Sequence, residues 1–119
     1  MKWILVLMFL TGIACAQNTN HSFTDGNDLR EACGRLAVGQ PGFAAGHCFG
    51  LLEGYFNVVE AAPVPDFPTH CVPGAVTWVE LAKVVVKYLD EHPEKLHLPA
   101  VLLISQATHD AFPCSAKTK

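Results

Sequence analysis

The chain has 119 residues, half of them hydrophobic, with five cysteines and a formal net charge of −3. That length suits one compact domain and is too short for two ordinary ones. Eight Lys and Arg, thinly spread in an acidic chain, argue against the basic patch that a nucleic acid or an anionic membrane surface requires.

Residues 1–16 read as an export signal. Lys2 precedes an apolar run from Ile4 to Leu10, and small residues ending in Ala14-Cys15-Ala16 fit a signal-peptidase site before Gln17. The run is too short to make a permanent membrane span. A second reading takes Gly12-Ile13-Ala14-Cys15 as a lipoprotein site, with a lipid anchor on Cys15. Removing the signal leaves Cys33, Cys48, Cys71 and Cys114. An even number of cysteines in a short exported chain implies disulfides. Residues 17–24 read as a flexible polar leader, and residues 25–119 as a single helical domain.

The first helix is predicted over about Asn27 to Ala37, with Leu29, Cys33, Leu36 and Ala37 on one face. Asp25 or Asn27 caps it. Gly39-Gln40-Pro41-Gly42 makes a turn. The second helix, about Phe43 to Ala62, places Ala44, His47, Cys48, Leu51, Leu52, Tyr55, Val58 and Val59 on a wide apolar face. Gly46, Gly50 and Gly54 recur on it at intervals of four, each costing about 1 kcal/mol of helix propensity. Their spacing predicts a groove where another helix approaches closely; the plainer alternative is a weak helix bent around the core.

Residues 61–75 are rich in proline and stiffened by it, able to present Val64, Asp66 and Phe67 at low entropic cost. They are either a functional loop or a crossover between helix pairs. Thr77-Trp78-Val79-Glu80 is a capping box. It opens a third helix whose core stripe is Leu81, Val84, Val85, Tyr88 and Leu89. His92-Pro93 ends that helix, and a short connector leads to Pro99 at the start of the fourth. Ala100, Leu103, Ile104, Ala107 and Ala111 form the last stripe. Val86, Val101 and Leu102 give either a dimerisation patch or a broader core face.

The whole predicts an all-α fold: a compact, disulfide-stapled bundle of about four main helices in two antiparallel hairpins. Such hairpins bring Cys33 level with Cys48, and Cys71 level with Cys114, so those are the expected bridges. The pattern holds no catalytic constellation: the cysteines are committed to disulfides, and no histidine pair or Cys-x-x-Cys has zinc spacing. No metal and no cofactor is expected. His47 reads as a core residue, and His92 as a helix cap or a partner of Glu94. Binding is the function left.

Several segments together resemble the Rap1a/Tai family. They are Cys48-Phe49-Gly50-Leu51-Leu52-Glu53-Gly54, Cys71-Val72-Pro73-Gly74-Ala75-Val76-Thr77 and Val84-Val85-Val86-Lys87-Tyr88-Leu89. Glu91-His92-Pro93-Glu94, His97 and Ala111-Phe112-Pro113-Cys114 complete the set. The resemblance implies an all-helical periplasmic immunity protein, commonly a homodimer, that is not an enzyme. Its partner would be a cognate peptidoglycan amidase effector of the type VI secretion system, inhibited by occlusion of its cleft. Residues 37–45 and 63–68 depart from the family pattern, which is where partner-reading residues are expected. Loop position nominates Asp66, Phe67, Glu94 and His97 for partner contact. An alternative reading is a small periplasmic module holding an apolar ligand beside the glycine stripe, outside any toxin–immunity pair.

Overall fold

The computed structural model describes residues 24–62, 65 and 70–115. The export signal, the lipid site at Cys15, most of the leader, and Asp66 and Phe67 lie outside the described residues. Helix α1 spans Gly26–Ala37, α2 Phe43–Ala61, α3 Trp78–Glu91 and α4 Ala100–Ala111, with a short 3-10 helix at Pro93–Lys95. Among the described residues there is no strand, and no helix is long and apolar enough to cross a membrane.

Helices α1 and α3 begin on side-chain caps. The Asp25 carboxylate accepts from the backbone N–H groups of Asn27 and Asp28 at 2.9 and 3.1 Å, so two of the orphan donors of α1 are satisfied. Thr77 and Glu80 form the reciprocal box that opens α3. Hydrogen bonding to Thr77, backbone first and then side chain, holds the Glu80 carboxyl below its ordinary range. Between α1 and α2 the chain turns through Gly39 and Gly42, at φ +70° and +136°. Both values fall where a Cβ is disfavoured.

The core is one cluster drawn from all four helices, with Leu29, Leu52, Val85, Leu89, Leu103 and Ile104 fully buried. Helix α1 packs against both α2 and α3, and α3 against α4, so α1 joins the two hairpins. The bridges are Cys33–Cys48, with Cα atoms 5.0 Å apart, and Cys71–Cys114, at 4.9 Å. The hairpin levels read from the sequence are therefore the real ones. The first bridge is buried within the core. The second closes the outer end of the α3–α4 hairpin, where Cys71 N–H also donates to Phe112 O at 2.8 Å.

The core face of α2 is narrower than its composition implied. Ala45, Cys48, Leu52 and Tyr55 are buried, whereas Val58 is 58% exposed. His47 is half-exposed rather than in the core, stacked on Phe43 at 6.2 Å between ring centroids. The glycine expectation is corrected too. A Cβ added at Gly46, Gly50 or Gly54 would meet nothing within 4 Å. The stripe lies on the outer face, and no helix of this chain approaches it among the described residues. Close approach occurs instead at Gly26, where a Cβ would stand 2.8 Å from the Leu96 backbone and 2.6 Å from the Leu103 side chain.

Candidate functional site

Pro93 has no N–H to continue α3 and disfavours helical backbone at His92. The helix ends there, and His92 takes the capping role. Its Nδ1 lies 2.8 Å from Tyr88 O; a carbonyl can only accept, so Nδ1 carries the proton and donates. The imidazole stacks on the Tyr88 ring at 4.1 Å between centroids. One 3-10 turn follows, closed by Lys95 N–H on His92 O at 3.0 Å and Leu98 N–H on Lys95 O at 2.9 Å.

This connector is held from both sides. From the α3–α4 side, Lys95 Nζ donates to Tyr88 Oη at 2.7 Å, and Tyr88 Oη donates onward to Gln106 Oε1 at 2.7 Å. The bond to Tyr88 pushes the Lys95 ammonium above its ordinary range, outweighing its partial desolvation. From the α1 side, Gly26 N–H donates to Leu98 O at 3.1 Å, and Asn27 Nδ2 donates to Leu96 O at 3.4 Å. Ala100 N–H donates to Thr24 O at 2.8 Å, so Thr24, assigned to the leader on sequence, is part of this seam. Leu96 and Leu98 turn inward against the core, while Glu94 and His97 are exposed. A cleft of about 250 Å³ adjoins the connector between α3 and α4, lined by Lys87, Tyr88, Glu91, His92 and Asp110 among others.

The four residues nominated for partner contact thus divide. Glu94 and His97 share one buttressed turn. Asp66 and Phe67 fall outside the described residues, and the downstream anchor of their segment, Cys71, sits at the other end of the α3–α4 hairpin. Just before that anchor, His70 lies beside Tyr55, with Tyr55 Oη 3.4 Å from its Nδ1, and edge-on to Phe56. Sequence reasoning missed Tyr88, Lys95 and Gln106 as the connector's supports. No local pattern signals them, since Tyr88 and Gln106 lie 18 residues apart and meet through the packing of α3 on α4.

The family model for Rap1a immunity proteins matches residues 25–114. The chain belongs to the Rap1a immunity protein family. No match was found among curated proteins or solved structures. The matched span contains every helix and both disulfides, so the Rap1a assignment covers the whole described domain. Membership implies a toxin–immunity role exercised by binding a cognate effector, and the disulfides fit an exported protein.

Proposed function

We propose that this Rap1a protein acts in the periplasm, where it binds a peptidoglycan amidase effector of the type VI secretion system and covers its active-site cleft. Residues 1–16 would direct its export. The observation that carries the reading is the connector: a turn fixed by hydrogen bonds from α1, α3 and α4 that offers a carboxylate and an imidazole to solvent. A segment already ordered before binding loses little conformational entropy on docking, which favours tight complexes from a small contact. Glu94 and His97 supply hydrogen-bonding groups suited to a polar hydrolase cleft, and inhibition follows from exclusion of substrate, with no bond made or broken by this chain. Asp66 and Phe67, on the proline-rich segment, would add a second contact, with the Phe67 ring as an apolar anchor.

The test is protection. Co-expression with a periplasmic amidase effector should prevent the lysis that the effector causes alone. The double variant Glu94→Ala, His97→Ala should weaken effector binding at least tenfold, which corresponds to about 1.4 kcal/mol. Its melting temperature should stay unchanged, because both side chains are exposed. Undiminished binding by that variant would remove the connector from the interface.

A further inference from the structure

Tyr88 is only 5% exposed, yet it carries a hydroxyl that core packing does not need. A phenylalanine ring would bury the same apolar surface with no polar group to desolvate. The use of the hydroxyl lies at the edge of the core. Lys95 Nζ donates to it at 2.7 Å, and it donates in turn to Gln106 Oε1 on α4 at 2.7 Å. An ammonium can only donate, so the single phenolic proton is left for Gln106 and the chain of bonds runs one way. Each bond polarises and strengthens the next, the more so away from bulk water.

The same residue grips the connector at two points. At its start, the His92 ring stacks on the Tyr88 ring and His92 Nδ1 donates to Tyr88 O. At its middle, Lys95 reaches back to the hydroxyl, with Nζ 5.1 Å from the ring centroid. Glu94 lies between these two grips, and His97 lies two residues beyond the second. The bonds of Lys95 N–H to His92 O and Leu96 N–H to Pro93 O set the internal shape of the turn. They do not set its direction. The far end is placed by α1, through Leu96 O and Leu98 O. The middle is placed by Tyr88, whose hydroxyl ties Lys95 to α4.

We infer that Tyr88 is a positioning residue for effector capture: acting through Lys95, its hydroxyl fixes the direction in which the connector presents Glu94 and His97. The inference rests on the effector reading above, and its test separates the two. Tyr88→Phe keeps the ring and its stack with His92, and loses both hydroxyl bonds. In the free protein, hydrogen exchange at the Lys95, Leu96 and Leu98 amides should quicken about fivefold, the order of one net hydrogen bond. Amides in the middle of α1 and α2 should stay as protected as before. Effector binding should weaken by the same factor. Lys95→Met, which keeps an apolar stem without the ammonium, should reproduce both changes, and the double variant should be no worse than either single. In the Glu94→Ala, His97→Ala background, Tyr88→Phe should cost no further affinity. Unchanged connector exchange, an equal loss of protection in every helix, or a binding loss that persists in that background would each overturn the inference. Faster connector exchange with undiminished binding would overturn it as well, while the effector reading would still be decided by the Glu94→Ala, His97→Ala variant alone.

Discussion

At the residue scale, the domain's sensitivity is concentrated in a few backbone and hydroxyl groups. Gly26 is where α1 meets the connector, and a methyl group there collides with the Leu96 backbone, which has no flexible end to yield. Gly26→Ala should therefore cost about 1–3 kcal/mol, as overpacking does, read as a drop in melting temperature, and should also loosen effector binding by shifting the connector. Gly34→Ala is the matched control: its added Cβ meets nothing within 4 Å, so helix propensity should make it neutral to about 1 kcal/mol stabilising. Ser105 behaves differently again. Its Oγ is buried and has no hydrogen-bond partner among the described residues, so Ser105→Ala should be neutral or stabilising by up to about 1 kcal/mol. A loss of stability in that variant would mean the hydroxyl is bonded.

At the scale of elements, helix starts were legible in the sequence because caps are local. Asp25 and the Thr77–Glu80 box each act within three residues, and they sit where the structure uses them. Thr77→Ala should cost about 1 kcal/mol and reduce the pH dependence of the cap, whose larger cause, the backbone N–H of residue 77 on Glu80, alanine retains. A carboxyl whose folded pKa is depressed contributes stability above its unfolded value, lost as the pH falls through the lowered folded value. Acid titration of the wild type should thus show α3 weakening below the ordinary carboxylate range, with Glu80→Gln flattened there. The supports of the connector were not legible, since Tyr88 and Gln106 lie 18 residues apart and meet only through the packing of α3 on α4. The glycine stripe failed in a related way: its spacing marks one face of α2, but no helix among the described residues packs on it. Disulfides also separate by element. Cys33–Cys48 is buried and Cys71–Cys114 is not, so a mild thiol reductant should open the latter first, as alkylation and peptide mapping would reveal. Simultaneous loss of both would show that the bundle opens as one unit.

At the scale of the molecule, a 12.9 kDa chain has little apolar area to bury, and two disulfides supply what the core alone would lack, each worth about 2–4 kcal/mol. The result is a small disulfide-stapled body with one turn braced by hydrogen bonds from α1, α3 and α4. The proposed role is to silence an amidase by covering its cleft. The most direct measurement is titration of the cognate effector's peptidoglycan amidase activity with the purified, oxidised protein. Activity should fall linearly to zero at one binding site per effector, with substrate unable to bind the complex. A complex that forms while hydrolysis continues at its full rate would contradict the account.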